Sequence, residues 1–235
     1  MNLEKIEYYI SKYKAYLKSE EVDYKEVYKW ECLKNFKDNW NEERKDIQAM
    51  YESSLKSQYS GFLWGGRRNS PRSAMIEMME HNSDFIRDMF RDLFNEKREV
   101  LLRMDRFAFH CDQVMAEIRK RRPKVQPHYH DRFKILSVYL SFNFPEEYCI
   151  FDYKEFKKFA ELIEIRELPQ EFEVVRFYKI TKTLSKFILK DEELLELHAA
   201  KISGSEFYKD AAPMLMVHDL YYLAGTKKLD NINLD

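Results

Sequence analysis

Apolar residues in this chain recur mostly at steps of three and four, the spacing that gathers side chains onto one face of an α-helix. Leu3, Ile6, Tyr9, Ile10, Tyr13 and Leu17 obey it with Lys and Glu between them, and Val27, Trp30, Leu33, Phe36 and Trp40 obey it behind an N-cap signal at Asp23 and Glu26. Trp30 and Trp40 read as core. Ile47 to Leu55 continues the pattern, and Tyr59 to Arg72 breaks it with Gly61, Gly65 and Gly66, before Ser70 and Pro71 stand as N-cap and first residue of a new helix. Met75, Ile76 and Met79, then Phe85, Ile86, Met89, Phe90, Leu93 and Phe94 after a cap at Asn82 or Ser83, predict one or two helices. Val100 to Ile118 predicts a long one, with Leu101, Leu102, Met104, Phe107, Val114, Met115 and Ile118 on its apolar side.

Phe133 to Phe144 lacks strict alternation and is bounded by Pro145, which favours a buried helix over a strand. Tyr148 to Phe151 reads as short and extended, Tyr153 to Ile165 as helical, and Phe172 to Phe187 as helix or strand. Leu194 to His198 looks helical, and Pro213 opens a last helix, Met214 to Ala224, with Gly225 placed as a C-cap. The expected fold is mainly α, a multi-helix domain that admits one short β element near 148–151 or 172–180. One domain is expected over 1–225, with a candidate internal boundary near 123–130, and 226–235 reads as a linker or tail.

Composition sharpens this picture. With 235 residues, 45% apolar and 34% charged, the chain can bury a core without disulfide or metal staples. No apolar run reaches the ~18 residues of a membrane span, and the residues after Met1 lack the apolar core of a signal peptide, so a soluble, cytoplasmic protein is expected. Cys32, Cys111 and Cys149 are too widely spaced for a disulfide framework or a CxxC zinc site. Five glycines leave few phosphate-cradling loops, and none has the spacing of a P-loop. Charge is near neutral overall but uneven: residues 61–134 carry 16 basic and 11 acidic groups, and residues 135–235 carry 13 and 18.

The basic middle holds two candidates for an anionic partner. Trp64, Arg67, Arg68 and Arg72 lie on the glycine-containing loop. Arg119, Lys120, Arg121, Arg122 and Lys124 form a run at a predicted helix end, followed by His128, Tyr129 and Arg132. Cations neutralise phosphates, and Trp64 or Tyr129 could stack on exposed bases. The same run also suits a helix C-terminus, where cations meet the macrodipole. Glu155-Phe-Lys157 has the letters of a nuclease ExK element but sits in a helical stretch. His218-Asp219 resembles the metal-binding doublet of the HD phosphohydrolases, and His130-Asp131, in His128-Tyr-His-Asp131, is a second such doublet. Only Asp230 and Asp235 remain downstream of His218-Asp219 to complete that family's ligand set, so helix-end or surface histidines are expected, with no metal, cofactor or catalytic residue assigned.

Several stretches together resemble a family. Tyr28-Lys-Trp-Glu-Cys-Leu-Lys-Asn-Phe-Lys-Asp-Asn-Trp40 is similar to a segment near the start of McrB-like AAA+ proteins, the motor subunits of modification-dependent restriction systems in bacteria. Asn69-Ser-Pro-Arg72, His128-Tyr129 with Arg132, Ser137 to Tyr148 followed by Tyr153-Lys154, and His218-Asp219-Leu-Tyr-Tyr222 resemble later landmarks of the same region. The resemblance covers roughly 24–224. It implies an N-terminal recognition domain of an antiphage defence protein, non-catalytic in itself, whose NTPase motor is not in this chain and whose partners are DNA, that motor and a nuclease subunit. The expected function is therefore DNA binding, of modified DNA in many such proteins. The alternatives are a helical protein-interaction or effector-sensing domain and, as a minor reading, an HD-like hydrolase.

Overall fold

The helical periodicity is realised among the described residues. A computed structural model describes residues 1–19, 24–57, 60–64, 70–131 and 133–234, and among them every regular element is a helix. In order these are α1 (Leu3–Lys18), α2 (Tyr24–Asn39), α3 (Ile47–Ser54), α4 (Gly61–Trp64), α5 (Pro71–His81), α6 (Ser83–Leu93), α7 (Val100–Arg121), α8 (Phe133–Asn143), α9 (Tyr153–Leu162), α10 (Val174–Ile188), α11 (Glu192–Lys201) and α12 (Pro213–Gly225). The expected cap at Asp23 with Glu26 falls outside the described side chains. Neither candidate β element forms among the described residues. Residues 148–151 form no strand, and 174–188 is helix because Val174, Phe177, Tyr178, Thr181, Leu184, Ser185 and Ile188 all bury at helical spacing. No described helix is long and apolar enough to cross a membrane.

The chain divides into two units, Glu31–Asn143 and the remainder, Met1–Trp30 with Phe144–Asp235. In the second of these α12 is the centre. Its sequence is apolar almost all round, the mark of a helix enclosed on every side, and all its residues but Tyr222 are buried. Helices α1, α9 and α10 pack on it. Gly225 does not act as the expected C-cap. It is the last helical residue, and a Cβ there would lie 2.5 Å from the Glu155 carbonyl oxygen, so it is glycine to admit the α9 backbone. Gly225→Ala should cost about 1–3 kcal/mol through this overpacking, read as a lower urea midpoint; an unchanged midpoint would show that α9 yields freely. Residues 226–234, read above as linker or tail, turn back with Leu229 and Ile232 buried, and the Ile232 carbonyl accepts from Lys12 Nζ.

In Glu31–Asn143 the core is aromatic and sulfur-rich. Phe36, Tyr51, Phe90, Phe107 and Tyr139 bury together with Met50, Met75, Met78 and Met104. Trp40 stacks on Phe36 and meets Phe90 and Phe94 edge-on. The cap at Ser70 forms as expected: its hydroxyl accepts from the Ser73 amide, Ser73 Oγ returns the bond to the Ser70 amide, and Pro71 opens α5. Asn82 ends α5 and caps α6 by accepting from the Phe85 amide. Leu102, assigned above to the apolar side of α7, instead faces outward. That helix turns Arg103 inward in its place, with the guanidinium donating to the Leu93 carbonyl at 2.6 Å.

Candidate nucleic-acid interface

Helix α7 builds the basic site. Met104, Phe107, Cys111, Val114, Met115 and Ile118 bury one face of it, so the last turn emerges from the core carrying Arg119, Lys120 and Arg121. Pro123 stops the helix, because it lacks an amide and drives the preceding residue into extended backbone. Arg122 accordingly has φ −131 and ψ 80, while its amide still closes on the Ile118 carbonyl. The carbonyls at this end carry partial negative charge, which steadies the cations around them.

The run then separates into two kinds of cation. Arg122 reaches Glu77 on α5 at 2.7 Å, and Lys120 reaches Glu117 one turn back at 2.6 Å. Arg119, Arg121 and Lys124 are exposed and make no ion pair among the described residues. An exposed ion pair is worth only about 0–1 kcal/mol, so the paired cations must give up a small interaction to meet a polyanion and the unpaired ones need not. Of the loop candidates, Arg72 is a structural residue: half-buried at the start of α5, it donates to the Glu52 carbonyl of α3 at 3.4 Å. Arg67, Arg68, Arg132 and the Trp64 side chain lie outside what the structure describes.

After the basic run the chain continues through residues 122–131 toward α8, and His128 and His130 fasten it. Both are buried, which corrects the expectation of surface or helix-end histidines. Tyr129 between them takes φ 62, a left-handed conformation that costs roughly 1–2 kcal/mol and sets both imidazoles inward. It is half-buried, not projecting. The His130 amide donates to His128 Nδ1 at 2.9 Å, so the His128 proton sits on Nε2, which donates to Asp112 Oδ1 at 3.1 Å. His130 Nδ1 donates to the His128 carbonyl at 2.6 Å, leaving Nε2 to accept from the Tyr139 hydroxyl at 3.0 Å, which in turn meets Tyr51 at 2.7 Å. Burial holds the His130 pKa down at about 3, with His128 adding to the fall, so the ring is neutral. The sequence signals this only as a pair of histidines; their partners outside the loop, the acceptor Asp112 and the donor Tyr139, lie on α7 and α8.

The other sequence candidates are engaged otherwise. Asp219 forms a buried ion pair with Lys29, and Tyr13 donates to it at 3.5 Å. His218 Nδ1 lies 3.9 Å from Asp219, beyond hydrogen-bond reach. The doublet is thus occupied by an ammonium group. Glu155 and Lys157 share helix α9, where Glu155 pairs with Lys158 at 2.7 Å, and among the described residues no sheet carries them as an ExK element requires. A cavity of about 130 Å³ near Trp30 and His198 is lined mainly by apolar groups such as Leu195, Ile202, Pro213 and Met216. No family model matches this chain, and no curated protein or solved structure matches it either.

Proposed function

We propose that this chain is a non-catalytic recognition domain that binds DNA through the C-terminal end of α7. The observation that carries the reading is the group of three exposed cations, Arg119, Arg121 and Lys124, left without carboxylate partners among the described residues at a helix end anchored to a rigid core. Such a tip neutralises phosphates without reading bases, so contacts made there give affinity and not sequence preference. The resemblance noted above extends the proposal: the domain would serve a McrB-like motor and its nuclease in a restriction system, in the cytoplasm.

Replacing Arg119, Arg121 and Lys124 together by Ala tests it. Each lost phosphate contact lowers the slope of log affinity against log salt by about 0.9, so the slope for duplex DNA should fall by about 2 to 3 and affinity at low salt by tenfold or more. Identical slopes for the two proteins would remove the helix end from the interface. A second reading, protein interaction, draws on Leu102 and Phe109, two turns apart on α7 and exposed by 51% and 58%. Failure to bind single-stranded, duplex or methylated DNA would favour it.

A further inference from the structure

Cys111, His128 and His130 each offer one ligand atom, and the three atoms lie within 4.8 Å of one another in the interior of Glu31–Asn143. Every one of these residues is buried. We propose that they form a binding site for a borderline-soft divalent cation, Zn²⁺ foremost, that clamps the segment after α7 onto the helix itself.

The donor set selects the metal. One thiolate with two imidazoles suits Zn²⁺, and Co²⁺ as its substitute, while Mg²⁺ and Ca²⁺ require oxygen ligands. The hydrogen bonds already fix each imidazole as metal-binding histidines are fixed. His128 commits Nε2–H to the Asp112 carboxylate, and His130 commits Nδ1–H to a backbone carbonyl. A ring nitrogen held by a carboxylate or carbonyl is the usual outer partner of a ligating histidine, and it leaves the lone pair on the other nitrogen. Those lone pairs are on His128 Nδ1 and His130 Nε2, which now accept from the His130 amide and the Tyr139 hydroxyl. The metal replaces these two bonds.

Tetrahedral zinc holds sulfur and nitrogen donors about 3.4 Å apart, so sides of at most 4.8 Å need contract by no more than about 1.4 Å, a movement asked of the loop carrying both histidines. Both imidazoles bind in their neutral form, and the Cys111 thiol loses its proton to solvent as the metal–sulfur bond forms. A water completes the coordination. Asp112, which holds the His128 ring, has its side chain 67% exposed. Nothing in this site depends on the DNA-binding reading, and its test uses no nucleic acid.

Chelator-treated protein, titrated with Co²⁺, should develop visible d–d bands and a near-ultraviolet thiolate band that saturate at one equivalent and vanish on adding Zn²⁺ but not Mg²⁺. Cys111→Ser should abolish the thiolate band, and His130→Gln should weaken binding by tenfold or more. Cys32→Ser and Cys149→Ser, at buried cysteines elsewhere, should leave the spectrum intact. Absence of these bands from the wild-type protein overturns the proposal whatever the variants do. So does a thiolate band that persists in Cys111→Ser.

Discussion

Lys29→Met should destabilise the protein by about 3–5 kcal/mol, because it breaks a buried ion pair by removing one partner. Lys29 is 3% exposed and Asp219 is 7% exposed, and their charged groups are in direct contact. Removing the ammonium leaves a largely buried carboxylate that the Tyr13 hydroxyl, at 3.5 Å, supports. Burial by itself would raise the Asp219 pKa; Lys29 foremost, with His218 beside it, holds it below the usual carboxylate value. Without Lys29 that balance reverses and the carboxyl must either take a proton or stay charged and unpaired. For a chain of this length 3 kcal/mol corresponds to a Tm lower by on the order of 10 °C. The double substitution Lys29→Met with Asp219→Leu should recover most of the loss, since two apolar groups of similar volume replace a buried pair at little cost. Urea denaturation at pH 7 of the wild type, both single variants and the double variant measures this cycle. A loss below about 1 kcal/mol in Lys29→Met would show that the pair is solvated.

The fold class was readable because helical periodicity is local. Positions such as Ile6, Ile10, Tyr13 and Leu17, or Phe107, Val114 and Ile118, announce a buried face within a few turns, and all of them are buried. Phe172 to Phe187 stayed ambiguous in sequence because it is apolar on more than one side; α10 is bounded by α12 and the aromatic rings of Phe151 and Phe156, so tertiary packing decides it. Gly225 could be read as punctuation but not as a clearance, since the atom it clears belongs to Glu155.

The candidate site was legible only in part for the same reason. Arg119 to Lys124 stand out as five cations in six residues, yet nothing nearby in sequence says that Glu77 occupies Arg122. Cys111 shows no metal-ligand spacing to His128 and His130; a helix end and a left-handed Tyr129 bring them together. Lys29 reads as one more lysine on an amphipathic helix, and its partner lies at the far end of the chain. Contacts made by charged groups across long separations leave no periodic trace, so the chemistry of this protein was less readable than its fold.

Stability should fall steeply between about pH 6.5 and pH 4, driven by His198 and His218 in the unit formed by Met1–Trp30 and Phe144–Asp235 and by His130 in Glu31–Asn143. Burial lowers the pKa of His218 to about 4, with Lys29 adding to the fall and Asp219 and Asp152 opposing it. Burial also lowers His198 to about 4, against the attraction of Asp219. Both rings are therefore neutral in the folded chain and near 6.5 in the unfolded one. Below pH 6.5 the unfolded state binds protons that the folded state refuses, so stability declines as pH falls and the decline ends near the folded value. Each histidine accounts for up to about 3 kcal/mol over that window at 1.36 kcal/mol per unit. The two share Lys29 and Asp219 as neighbours, so together they contribute on the order of 5 kcal/mol, comparable with the whole stability of a small domain. Asp219, whose folded pKa is also depressed, adds its own loss only at still lower pH, as its carboxylate protonates and the bond to Lys29 is given up. His198→Leu separates these terms: its Nε2 has no hydrogen-bond partner among the described residues, and the ring packs against Trp30 at 4.4 Å between centroids. A leucine there should keep or raise stability at pH 7 and remove about a third of the decline from pH 6.5 to 4, His218 and His130 supplying the rest. Urea midpoints across that range give the slope directly, and a flat wild-type profile would mean that none of these imidazoles is held neutral by the fold.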